Sequence, residues 1–226
     1  MNDYELIVFD WDGTLIDSEA RIVNCMRAAI RDLQLPARSQ DEMRNVIGLG
    51  LHEALSTLYP DDDHAMYAKL VERYRHHFLF EDATPSELFE GVEALLSELR
   101  DRGHFIAIAT GKGRVGLDKA LDETGLHAYF DYTRCADETR SKPHPQMLEE
   151  IMERLGMTPQ QTIMIGDTEF DMQMANNAGT AALAVSYGVH EKQRLLACNP
   201  LACVDDVTAM HSWLIDNNSR KAQGIK

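Results

Sequence analysis

Three short apolar runs, none interrupted by a polar residue, each stop at a group able to do chemistry. Leu6-Ile7-Val8-Phe9 stops at Asp10, Phe105-Ile106-Ala107-Ile108-Ala109 stops at Thr110, and Ile163-Met164-Ile165 stops at Gly166-Asp167. A run of this length without polar alternation belongs to a strand covered on both faces. Helical patterning fills the intervals. Val92, Leu95, Leu96 and Leu99 share a face that ends before Gly103, and further helices are expected near 116–123 and 170–177. Thr158-Pro159-Gln160-Gln161 has the form of a capping box leading into the third run, and a fourth strand is expected at 181–185. Strands alternating with helices predict an α/β fold: a doubly wound parallel sheet with helices on both faces.

Residues 17–84 interrupt this alternation with helices alone. Ile22, Val23, Met26, Ala29, Ile30 and Leu33 fall on one face before Pro36. A short helix near 41–47 is broken by Gly48-Leu49-Gly50, another near 52–58 stops at Tyr59-Pro60, and Met66, Tyr67, Leu70, Val71, Tyr74 and Phe78 mark a long amphipathic helix. The expected organisation is an α/β core from 1–16 and 85–226 carrying an inserted α-helical cap at 17–84, with hinges near 15–17 and 84–91. Asp61-Asp62-Asp63 reads as a solvated helix start, and 217–226 as a frayed polar tail.

In an open parallel sheet, ligands bind beyond the carboxyl ends of the strands. The polar residues that stop the runs therefore converge on one crevice: Asp10 and Asp12 after the first strand, Thr110 after the second, Asp167 and nearby Asp171 after the third. Several carboxylates in one place stay ionised together only around a cation. An all-oxygen set suits Mg²⁺, which keeps several waters and binds beside phosphates. A carboxylate oxygen of Asp10 can attack phosphorus, while Asp12 protonates the leaving oxygen and then activates water. Thr110 and Lys142 offer a hydroxyl and a point charge to the transferring phosphoryl group, and backbone N–H groups of the 10–13 turn offer a nest for an anion.

Charge constrains the partners. The 226 residues carry 37 acids against 22 bases, a formal charge of −15, which repels a nucleic-acid backbone. An anionic substrate then needs local cations, and Lys112 and Arg114 follow Thr110 closely. No run approaches the roughly 20 apolar residues that cross a bilayer, so no membrane partner is expected. Four cysteines without a CxxC pair read as reduced thiols of a cytoplasmic protein. His76-His77 has no partner at metal-ligand spacing, and His144 is assigned a structural or solvent-facing place.

Asp10-Trp11-Asp12-Gly13-Thr14, Thr110, Lys142-Pro143 and Gly166-Asp167-Thr168 with Asp171 resemble the four ordered motifs of the haloacid dehalogenase superfamily. More narrowly, the chain is similar to the phosphoglycolate-phosphatase-like branch with a helical cap. That resemblance implies Asp10 as nucleophile, Asp12 as acid/base, and Thr110 and Lys142 as the groups steadying the phosphoryl oxygens. It implies Mg²⁺ held by Asp10, the backbone carbonyl of Asp12 and Asp167, with Asp171 behind them orienting water or Lys142. Gly13, Thr14, Gly111 and Lys112 complete the set as candidate phosphate- or substrate-binding residues. The implied activity is hydrolysis of a small phosphorylated metabolite such as phosphoglycolate, by a monomer or homodimer. A phosphosugar mutase, a small pyrophosphatase and a non-catalytic binder that keeps the fold are the rival readings. The cap segment 48–51 is small and apolar, where mutases of this kind carry polar or basic residues. The chain also departs from the commonest pattern at Trp11, at Gly111, where many relatives have Ser or Asn, and at Glu90, where a proline is frequent.

Overall fold

The computed structural model describes residues 4–61 and 64–217. The expected helix start at Asp61-Asp62-Asp63 lies partly, and the expected tail at 217–226 almost wholly, outside the described residues. Six parallel strands form the main sheet: β1 (Leu6–Phe9), β4 (Phe105–Thr110), β5 (Tyr132–Cys135), β6 (Thr162–Gly166), β7 (Ala181–Val185) and β8 (Ala202–Val204). Their order is β5-β4-β1-β6-β7-β8, so β1 lies inside the sheet and the chain leaves it in both directions. Phe9 pairs with Ile108 on one side and Ile165 on the other. The crevice for a ligand therefore opens at the carboxyl end of β1.

Alternation along these strands divides the core into two layers. Ile7 and Phe9 join Ile106, Ile108, Ile163 and Ile165 beneath α5 (Val92–Asp101), α6 (Arg114–Thr124) and α10 (Val207–Asp216). Leu6 and Val8 face the opposite layer, which α7 (Gln146–Leu155), α8 (Glu169–Ala178) and α9 (Lys192–Ala197) cover. Burial on both faces is why the central strands read as unbroken apolar runs. Strands β5 and β8 were not expected. They lie at the two edges, are mostly half-buried, and β5 carries Thr133 and Arg134.

Between β1 and β4 come α1 (Glu19–Asp32), α2 (Gln40–Asn45), α3 (Leu51–Leu58) and α4 (His64–His76). Helix α2 opens on a full capping box: Ser39 accepts from the Glu42 N–H at 3.2 Å, and Glu42 accepts from the Ser39 N–H at 2.7 Å. The long amphipathic helix ends earlier than its apolar pattern, in a π-helical turn at His77–Glu81. These helices bury an apolar cluster of their own, including Ile22, Met26, Met43, Leu55, Leu70 and Phe78, to which Val189 contributes from the β7–α9 connection. The two chain crossings run side by side as β2 (Ile16–Asp17) and β3 (Glu87–Leu88), an antiparallel pair in which Ile16 faces Leu88.

Candidate active site

Asp10 sits one residue past β1, and its N–H donates to the Ile165 carbonyl at 2.9 Å, so β6 fixes the direction in which its side chain leaves the sheet. Its Oδ1 accepts from the Trp11 N–H at 2.7 Å and lies 2.8 Å from Lys142 Nζ. Its Oδ2 is buried and accepts no hydrogen bond among the described residues. Lys142 Nζ also lies 2.7 Å from Asp171 Oδ1, while Asp171 Oδ2 accepts from the Thr168 N–H at 3.0 Å and the Thr168 hydroxyl at 2.6 Å. One ammonium is thus clamped between a carboxylate just past β1 and one in the first turn of α8.

The carboxylates of Asp10, Asp167 and Asp171 come within 4.8 Å of one another, and all three residues are buried. It is the one group with potential metal-ligand geometry among the described residues. Burial, with Asp171 and Asp167 adding to it, raises the Asp10 pKa against the pull of Lys142. Burial and Asp171 push Asp167 up to about 7, against the Val189 N–H, the Thr14 hydroxyl and Lys142. Lys142 itself is disfavoured by burial, but Asp10 and Asp171 outweigh that and hold it above the ordinary lysine range. Three acids gather around one lysine. A hard divalent cation fits this deficit of positive charge and this all-oxygen donor set.

Gly13 and Thr14 take a different place from the one their sequence suggests. The Thr14 hydroxyl donates to Asp167 Oδ1 at 3.0 Å, and the Gly13 N–H donates to the Ile16 carbonyl at 2.9 Å. Neither lines the cavity above Asp10. Gly13 has φ +80°, and a Cβ there would stand 2.2 Å from Asp167 Oδ2, so the glycine makes room for that carboxylate. Both residues stand against Asp167. The N–H groups of Trp11 and Gly13 are likewise engaged within the turn, which weakens the expected anion nest.

Asp12 is almost fully buried and stands apart from the three-acid cluster. Its Oδ1 accepts from the Ser18 hydroxyl at 2.7 Å and lies 3.0 Å from Lys112 Nζ. Ser18 occupies the N-cap of α1, yet makes no cap bond with its side chain; its proton goes to Asp12. Lys112 Nζ lies 4.4 Å from the Phe78 ring centroid, so one cation touches both the strand-end loop and the π turn after α4. Thr110 is fully buried at the end of β4, and its Oγ1 accepts from the Lys112 N–H at 3.1 Å. Gly111 lies under the 48–49 backbone, and the Gly50 N–H donates to the Ser141 hydroxyl at 2.7 Å, next to Lys142.

Sequence reasoning missed Ser18, Tyr74, Phe78 and Ser141. Ser18 follows the expected hinge at 15–17, but nothing in the sequence ties it to Asp12. The other contacts join segments far apart in the chain. His77 lies 2.8 Å from Asp32 and 2.5 Å from Glu81, away from any metal-type cluster. His144 contacts Arg140 and the Gln146 N–H. The four cysteines are free thiols, and among the described residues no helix is long and apolar enough to cross a membrane.

Asp10, Asp12, Thr110, Gly111 and Lys112 border a cavity of about 190 Å³ that is lined elsewhere by the helical block and by Gly113, Val115, Gly116 and Asp137 of the core. The sequence model of the haloacid dehalogenase-like hydrolase family matches residues 7–185. A probable phosphatase, IndB, of Dickeya dadantii is 37% identical over 218 residues, covering 92% of this chain and 94% of that protein. A phosphoglycolate phosphatase of Vibrio parahaemolyticus is 29% identical, with 92% and 95% covered. A crystal structure described as a predicted phosphatase from Clostridium acetobutylicum superposes with a TM-score of 0.86 at 25% identity, over 95% of this chain and 99% of that one. With its parallel sheet, its acid cluster and these likenesses, the chain belongs to the haloacid dehalogenase-like hydrolases, as a phosphatase of that family.

Proposed function

We propose that this phosphatase hydrolyses a small phosphate monoester in two steps through a phosphoryl group carried on Asp10, with Mg²⁺ held by Asp10 and Asp167. The observation that carries the reading is the Asp10 carboxylate: one oxygen is fixed by Lys142 and the Trp11 N–H, and the other has no donor. A carboxylate held at one oxygen is aimed at the other. That oxygen attacks phosphorus, the bond from phosphorus to the substrate alcohol breaks, and Asp12 gives the alcohol its proton. A water then attacks the same phosphorus and passes a proton to Asp12. The bond to Asp10 breaks, releasing inorganic phosphate. Thr110 and Lys142 steady the phosphoryl oxygens through both steps. When bound, Mg²⁺ supplies further positive charge to those oxygens.

Residues 17–84 act in this reading as a cap that keeps bulk water from the phosphoryl group. Support comes from their separate apolar cluster, from the paired crossings β2 and β3, and from the 48–50 loop seated on Gly111 and Ser141. The test is inorganic phosphate release from a panel of small monoesters, with Mg²⁺ and with chelator, by wild-type and Asp10→Asn protein. Metal-dependent release that disappears in Asp10→Asn supports the reading. Release that survives Asp10→Asn overturns it.

A further inference from the structure

The wall of the cavity opposite Asp10 and Asp12 is carbon. Ile22 and Met26 of α1, Val46, Ile47 and Leu49 after α2, and Phe78 after α4 line it. Two cations reach the same cavity, and both are paired with carboxylates: Lys112 lies 3.0 Å from Asp12, and Arg75 lies 3.4 Å from Asp137. Lys142 is held between Asp10 and Asp171. A second anionic group on the substrate, such as the carboxylate of a phosphorylated hydroxy acid, would therefore compete with an existing carboxylate for any cation there. Left unpaired against carbon, it would be costly to bury. A polyol would leave several hydroxyls without partners on the same wall.

Tyr74 supplies a polar atom. Its ring stacks on Phe78 with centroids 5.9 Å apart and planes at 22°. It lines the cavity, and its hydroxyl has no hydrogen-bond partner among the described residues. Size adds a further limit. An apolar cavity of roughly 150 Å³ holds benzene, so about 190 Å³ is on the scale of one small ring, with the phosphoryl group at its Asp10 end. We infer that the alcohol released by this enzyme is compact, flat and largely apolar, about the size of a benzyl group, with at most one polar substituent, which meets Tyr74.

The inference rests on the phosphatase reading of Asp10, and the experiment separates the two. Benzyl phosphate, phosphoglycolate, glycerol 3-phosphate and glucose 6-phosphate are compared at saturating Mg²⁺. All four are alkyl phosphates, so leaving-group acidity does not decide the order. The expected result is a kcat/KM for benzyl phosphate at least tenfold above each of the others, most of it in KM. Leu49→Lys, which adds a cation to the carbon wall, should lower the benzyl phosphate value about tenfold and raise that for phosphoglycolate. A wild-type preference for phosphoglycolate or a sugar phosphate, with release abolished in Asp10→Asn, overturns the apolar wall as the selector and leaves the Asp10 reading standing. If none of the four is turned over, calorimetry on Asp10→Asn protein with Mg²⁺ decides the point. Tighter binding of benzyl phosphate than of phosphoglycolate supports the inference, and equal or weaker binding overturns it.

Discussion

The carbonyl oxygen of Gly48 lies so close to Gly111 that a Cβ on Gly111 would stand 2.5 Å from it, and 2.5 Å from the carbonyl of Leu49 as well. Neither neighbour is the flexible end of a side chain, so a larger residue at 111 has to displace backbone. The space that a side chain would fill is taken by the 48–49 segment. Gly111→Ala is expected to push that segment off its seat and lower kcat/KM by about 10- to 100-fold, since shifts near 1 Å at a reacting site have effects of that order. Far-UV circular dichroism should be unchanged. Steady-state kinetics on a well-folded variant with wild-type activity would show that this contact does not position the loop.

Asp167 costs the fold stability when it is ionised without a metal. Its folded pKa is pushed up to about 7 by burial and by Asp171. The folded state therefore holds a proton more tightly than the unfolded chain between about pH 4 and pH 7. Stability is lost as pH rises through that window, and above it the full cost of the charge is felt. In chelator at pH 8, Asp167→Asn is expected to be more stable than wild type by about 1–2 kcal/mol, discounted from the full shift because neighbouring groups relax. Mg²⁺ should raise the wild-type Tm and leave that of Asp167→Asn nearly unmoved. Differential scanning fluorimetry with and without metal reads both effects, and a wild-type Tm indifferent to Mg²⁺ would count against a metal at this cluster.

Lys112 joins Asp12 to Phe78 across the cavity. Lys112→Met keeps an unbranched chain against the ring and removes the charge. A loss of about tenfold in kcat/KM is expected, the scale of one charge-assisted contact. Kinetics on Phe78→Leu should show a smaller loss, mainly in KM. A Lys112→Met enzyme within twofold of wild type would mean that the bridge serves packing only.

His190 couples the fold to acid. Its Nδ1 accepts from the Glu169 N–H at 3.2 Å, an arrangement that protonation breaks. Burial, then Arg194, pushes its pKa down to about 4. From about 6.5 down to about 4 the unfolded chain takes up the proton and the folded protein does not, so stability falls as pH falls through that window. The expected loss is on the order of 2 kcal/mol. His190→Gln keeps an acceptor for the Glu169 N–H and cannot titrate. Urea unfolding at pH 7.5 and pH 5 should show the variant losing less than wild type, and parallel losses would rule His190 out as the source.

The centre of the sheet was legible because its interior strands are covered on both faces and three of the four stop at a residue of the candidate site. Asp10 after Phe9, Thr110 after Ala109 and Asp167 after Gly166 could be aligned on one crevice before any coordinates. Strands β5 and β8 escaped because an edge strand is half-buried and tolerates residues such as Arg134, so its pattern resembles a loop. The partner of Thr14 was hidden for another reason. A motif identifies a hydroxyl without saying what it faces, and this one faces Asp167, 153 residues away. Separation in sequence likewise hid Lys112 over Phe78 and Ser141 under Gly50.

The helical block buries one apolar cluster, and the sheet buries two others between its own helices. A substitution that reshapes the wall around the departing alcohol loosens the first and leaves the other two, which hold the acids in place, as dense as before. Inherited change can therefore act on choice and on chemistry separately. A lineage of such chains can pass from one alcohol to another without an ancestor that had lost the reaction.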